Sequence, residues 1–219
     1  MTILMGVEEA GRGPVIGPLV MAGVSIDEKD LPMLKKLGVK DSKQLSPLQR
    51  ETLFDKIIAV VKDFKIKIIS ASQVDDALND PYMNLNWLEA KVSADIINEL
   101  DGNKVTLDCP STNIEAYRDY VKKLLNKKNE KIELIAEHKA DENYVEVAAA
   151  SILAKVTRDR EIEKLKEKYN IQFGSGYPAD PRTKEFLEKN HNKYPIFRKT
   201  WKSYKNVIMK KAQKGLGDF

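Results

Sequence analysis

Across the middle of this chain, strand-length apolar runs alternate with longer stretches of helical period, and that alternation restricts the possible folds more than any other feature. Residues 64–70, 104–107 and 132–136 are short, rich in β-branched side chains and bounded by polar turns, as strands are. Between and after them, residues 85–100, 113–125 and 146–168 carry apolar side chains at helical spacing. Ser46-Pro47-Leu48-Gln49 supplies a capping serine, a proline at the first helical position and a glutamine three residues on, so a helix is expected from there to about Lys62. Strands that alternate with helices give an α/β fold. Two further strands, 3–7 and 19–26, follow each other with no helix between them, so part of the sheet is expected to be antiparallel. The expected architecture is a mixed β-sheet flanked by helices. After a Gly- and Pro-rich loop at 170–181, helices near 182–190 and 198–213 form a small C-terminal helical appendage. The expected division is 1–170 as the sheet domain, 171–212 as the appendage and 213–219 as a tail.

The chain has 219 residues, 42% of them hydrophobic, enough for one large domain with a real core. Cys109 is its one cysteine, which excludes an intrachain disulfide and a multi-cysteine metal site. The opening MTILMGVEEAGRG lacks the charged start and long apolar core of a secretory signal, and no run approaches a membrane span of ~18 apolar residues. The expectation is a soluble, cytoplasmic monomer with no membrane partner. The net charge of +4 conceals an asymmetry, because residues 189–219 hold nine basic residues against a single acid, Asp218. A basic block beside an acidic body suits a polyanionic partner; a solvated, lysine-rich helix face accounts for it as well.

Four acids stand where sheet folds place active sites. Glu8 and Glu9 close the first strand, Asp108 closes a central one, and Asp141 follows another just before a helix. Carboxylates that converge repel one another and stay ionised only around a cation. Oxygen ligands select Mg²⁺ or Mn²⁺, and with only His138 and His191 in the chain a zinc site is disfavoured. Two ions about 4 Å apart can clamp a phosphodiester. Taken singly, each acid also reads as a cap or turn residue. Adjacent strand residues point to opposite faces, so Glu8 and Glu9 share a cleft only if the strand kinks or ends there.

Gly11-Arg12-Gly13-Pro14 follows the glutamates. An exposed glycine backbone can bond a ribose 2′-hydroxyl, and Arg12 can hold a phosphate, although a plain tight turn fits the segment equally. Lys43, in Asp41-Ser42-Lys43, can reach a phosphate. Tyr177, in the loop Gly174-Ser175-Gly176-Tyr177-Pro178, can stack on a base or sugar, or simply pack.

These strings, in this order, resemble the archaeal branch of the ribonuclease HII family. The resemblance runs through residues 6–18, 39–43, 107–108, 138–141, 149–159, 174–181 and 198–202. It implies an RNase H-like fold and cleavage on the 5′ side of a ribonucleotide in RNA/DNA hybrids or duplex DNA, giving 3′-hydroxyl and 5′-phosphate ends. By motif position it implies Glu8, Glu9, Asp108 and Asp141 as catalytic, metal-binding acids for two ions, Mg²⁺ or Mn²⁺. It likewise implies Gly11, Arg12 and Gly13 as the 2′-hydroxyl reader, Tyr177 as the ring stacked on the deoxyribose past the junction, and Lys43 as the phosphate contact. The family has Asp-Glu where this chain has Glu8-Glu9. The extra methylene can displace a carboxylate by more than ~1 Å, which can cost ~100-fold in rate. A junction-binding protein weakened by Glu8 is therefore the second reading, and a resolvase-type nuclease acting on branched DNA the third. Gln213, Leu216 and Phe219 are spaced like a sliding-clamp binding motif, with a frayed tail as the alternative.

Overall fold

The computed structural model describes residues 2–216, with side chains described through residue 213. The strands are β1 (Ile3–Ala10), β2 (Leu19–Asp27), β3 (Asp63–Ile69), β4 (Lys104–Asp108) and β5 (Glu133–Glu137). The helices are α1 (Leu31–Leu37), α2 (Pro47–Val60), α3 (Ala71–Leu78), α4 (Leu85–Glu99), α5 (Ile114–Leu124), α6 (Ala140–Asn143), α7 (Val145–Tyr169), α8 (Pro181–Asn190) and α9 (Lys202–Leu216). The strands form one sheet in the order β3-β2-β1-β4-β5. β1 pairs antiparallel with β2 and parallel with β4, and β4 pairs parallel with β5. The expected mixed α/β sheet is present.

The chain divides into two compact units. The first comprises Met1–Ala10, Val20–Ile68 and Asn84–Arg158, and so contains the sheet. Even-numbered β2 residues, Val20 to Ile26, are buried with Leu34, Leu53, Phe54 and Ile57 and with the alanine-rich start of α7. Gly6 lets that helix approach β1: a Cβ there would lie 2.4 Å from the carbonyl carbon of Glu146 and the amide nitrogen of Val147. On the opposite face Gly23 lies under Ile96 of α4 and Leu100 just beyond its end. The sheet is thus covered on both sides.

The second unit comprises Gly11–Leu19, Ile69–Met83 and Asp159–Phe219. Its core joins Val15 and Ile16 to Ile162, Phe173, Leu187, Ile196, Phe197 and Tyr204.

The predicted capping box at Ser46 and Gln49 is present. The same signal at Ser70 and Gln73 opens α3, whose eight residues are too few for a helical period to stand out in the sequence. The last helix begins at Lys202, four residues later than expected, because the Asp75 carboxylate accepts the amides of Lys199 and Thr200 and holds 198–201 as a turn. No helix among the described residues is long and apolar enough to cross a membrane.

Candidate metal centre

β1 runs to Ala10, one residue past the glutamates and close to where the sequence suggested it would end, with Glu8 opposite Ala22 and Glu9 opposite Met21. The two side chains therefore leave on opposite faces. They still converge at the end of β1, beside Asp108, the last residue of β4. One carboxylate oxygen each from Glu8, Glu9 and Asp108 lies within 4.8 Å of the others.

Asp108 is the last residue of β4, and its Oδ1 accepts the Ala140 amide at 2.7 Å. Lys139, in the left-handed region with φ 57°, makes the turn out of β5 into α6. That turn sets Asp141 in the first turn of α6, buried, with Oδ2 3.4 Å from Lys43 Nζ. Asp141 is outside the 4.8 Å trio. The Lys43 turn is fixed from below: Ser42 Oγ lies 2.9 Å from Ser151 Oγ, and Lys155 Nζ donates to Ser42 Oγ. Arg50 Nη1 donates to the carbonyls of Ser42 and Leu45. These supports escaped the residue-by-residue reading. Ser151 and Lys155 do lie in the 149–159 string that carries the resemblance, but a string does not say what a residue touches.

Burial, then the charges of Glu9, Asp108 and Asp141, push the Glu8 carboxyl well above its ordinary value. Asp141 is raised by burial, with Lys43 opposing and Asp108 and Asp41 adding. Burial pulls Lys43 down, but Asp141, Asp41 and Glu8 outweigh it and hold the ammonium above its usual range. Glu8 Oε2 and Asp141 Oδ1 are buried with no hydrogen-bond partner. An all-oxygen donor set with mutually repelling acids and orphaned oxygens fits a hard divalent cation such as Mg²⁺ or Mn²⁺.

A raised carboxyl is a stability statement. Folded Glu8 binds its proton more tightly than unfolded Glu8, so without metal stability falls as pH rises from the ordinary value of 4.5 through the raised one. Metal-free Glu8→Gln is expected to melt above the wild type at about pH 7.5 and to come close to it near pH 4, where the glutamate is mostly protonated in both states. Thermal melts in chelator at the two pH values check this; no gap at the higher pH contradicts the repulsion.

The other predicted site residues, Gly11, Arg12, Gly13 and Tyr177, fall together in the second unit. Val15 N and Ile16 N both donate to the Gly176 carbonyl. Tyr177 lies against Gly13: a Cβ on Gly13 would come 3.4 Å from the ring, which stays 42% exposed. Gln213 is exposed, Leu216 is described in its backbone alone, and Phe219 lies outside the described residues.

A similar fold occurs in the ribonuclease H2 of Pyrococcus horikoshii OT3, with a TM-score of 0.83, 43% identity and coverage of 94% of this chain and 96% of that one. It occurs also in the RNase HII of Archaeoglobus fulgidus solved in complex with PCNA, with a TM-score of 0.81, 39% identity and coverage of 91% and 95%. The five-stranded mixed sheet and its carboxylate cluster thus define a metal-dependent nuclease of the RNase H-like class. The Ribonuclease HII family model matches residues 5–205. The Ribonuclease HII of Pyrococcus furiosus is 44% identical over 98% of this chain and 96% of its own length. The chain belongs to the ribonuclease HII family.

Proposed function

We propose that this chain hydrolyses the phosphodiester on the 5′ side of a ribonucleotide, in RNA/DNA hybrids or at RNA–DNA junctions in duplex DNA. Water attacks phosphorus, the bond to the 3′-oxygen breaks, and 3′-hydroxyl and 5′-phosphate ends result. The observation that carries the reading is the trio of Glu8, Glu9 and Asp108, whose oxygens approach within 4.8 Å. With Asp141 these acids are the metal ligands. Two divalent ions, when bound, would activate the attacking water and stabilise the leaving oxygen. Lys43 pairs with Asp141 at rest and presents its ammonium to a substrate phosphate. Gly11, Arg12 and Gly13 read the 2′-hydroxyl, and Tyr177 stacks on the sugar beyond the junction. The body of the enzyme is 1–170, 171–212 binds substrate, and the setting is a reducing cytoplasm, in keeping with a lone cysteine.

The close approach of Glu8 to its neighbours favours an active enzyme over a weakened junction binder. The test is a duplex with one embedded ribonucleotide, beside an RNA/DNA hybrid and an all-DNA branched duplex, each with Mg²⁺ or Mn²⁺. Cutting confined to the 5′ side of ribonucleotides supports the reading. Tight binding without cutting, cured by Glu8→Asp, supports the weakened binder, and cutting of branched DNA supports a resolvase.

The Archaeoglobus relative solved in complex with PCNA supports a sliding clamp as partner; the contact we propose for it is Gln213, Leu216 and Phe219. Deleting residues 213–219 is expected to remove binding to the cognate clamp and leave cleavage of short duplexes intact; unchanged clamp affinity rejects the motif.

A further inference from the structure

We infer that Arg198 is a positioning residue that gives the Gly11–Gly13 loop its ability to distinguish ribose from deoxyribose, an inference that rests on the proposed reading of that loop. Arg198 is fully buried in the second unit. Its Nη2 donates to the Gly11 carbonyl at 2.7 Å, Nη1 to the Arg12 carbonyl at 3.0 Å and Nε to the Gly17 carbonyl at 3.0 Å. Trp201, whose ring lies 4.7 Å under the guanidinium, donates from Nε1 to the Gly13 carbonyl at 3.1 Å. All three carbonyls of the 11–13 segment are therefore drawn toward one side of the loop.

In a planar trans peptide the C=O of one residue and the N–H of the next point in opposite directions. Drawing the Gly11 and Arg12 carbonyls onto Arg198 turns the Arg12 and Gly13 amides away from it, as a pair of donors on the other side. The carbonyl of Gly13 faces Trp201, and Pro14 behind it has no amide hydrogen to offer. The side of the loop turned from Arg198 thus presents donors, which is what a hydroxyl oxygen requires.

The clamp is itself held in place. Asp75 accepts the amides of Lys199 at 2.7 Å and Thr200 at 2.9 Å, together with the Thr200 hydroxyl at 2.6 Å. The Arg198 amide donates to the Val15 carbonyl at 2.8 Å. Lysine at 198 keeps the charge, but its single nitrogen cannot reproduce a planar fork spanning the three carbonyls.

The test uses three duplexes identical except for a 2′-hydroxyl, 2′-fluoro or 2′-hydrogen at one nucleotide. Affinity is measured without divalent ion and cleavage with Mg²⁺, for wild type, Arg198→Lys and Trp201→Phe, with thermal melts alongside. In Arg198→Lys the preference for 2′-hydroxyl over 2′-hydrogen is expected to fall on the order of 10- to 100-fold, the scale of a small misplacement of reacting groups. Trp201→Phe, which keeps an aromatic ring but loses the indole N–H donor, should show a fall of about five-fold in the same direction. If Arg198→Lys does not fold, Trp201→Phe decides by the same ratio. Preserved ratios in the folded variants overturn the inference. A wild type indifferent to the 2′ group overturns the reading of the loop instead, so the two failures are distinct.

Discussion

Asp108→Asn should reduce metal-dependent cleavage by about a thousandfold or more while leaving the fold intact. A divalent ion at a phosphodiester supplies several kcal/mol of stabilisation to the developing charge, and each ~1.4 kcal/mol is tenfold in rate. Asparagine is nearly isosteric with aspartate and keeps an oxygen for the Ala140 amide, the bond that ties the end of β4 to the start of α6. What it removes is one anionic member of the trio that brings oxygens within 4.8 Å. Folded-state repulsion on Glu8 falls with it, since Asp108 is one of the charges that raise that carboxyl. The variant should therefore melt no lower than the wild type in chelator, and divalent ions should raise its melting temperature less. Single-turnover cleavage of a junction duplex and melts with and without Mn²⁺ check both halves. Turnover near the wild-type rate would remove Asp108 from the metal site and the trio from the mechanism.

Gly6→Ala should be among the most damaging single-atom additions the sheet can receive. The new Cβ would stand 2.4 Å from backbone atoms of Glu146 and Val147, and neither partner is a side chain that can rotate aside. Relief requires α7 to move away from β1, which loosens the buried run from Ala148 to Val156. Overpacking of a dense core costs about 1–3 kcal/mol and sometimes more, and backbone against backbone belongs at the upper end. For a chain of this size that corresponds to a fall in melting temperature of roughly 6–12 °C. Glu8 leaves the same face of β1 two residues on, so cleavage should drop beyond the loss of folded protein. A melting temperature unchanged to within about a degree would show that strand and helix are not in the contact described.

Much of the fold was legible because the signals are local. A proline and glutamine after Ser46 define a helix start wherever the chain goes next, and the short β-branched run at 104–107 between polar turns marks a strand without knowledge of its partner. The same kind of signal at Ser70 is harder to see because α3 is too short for its period to stand out. The site was legible as a set of acids and a glycine turn, carried by long ordered strings. Its geometry was not. The strand does end one residue past the glutamates, but which oxygens meet there, and that Asp141 stands outside the trio, depends on contacts between strands far apart in sequence.

By itself the sequence determined the α/β alternation, the helix caps, the acidic residues and the family they belong to, because each is written in the kind and spacing of neighbouring residues. Only the tertiary structure decided that oxygens from Glu8, Glu9 and Asp108 meet. It alone showed that Arg198 holds Gly11 from a distance of 187 residues and that Asp75 anchors the turn containing it. Such contacts join positions that no local period or propensity relates; they exist only once packed elements bring distant backbone carbonyls and buried charges within a few ångströms.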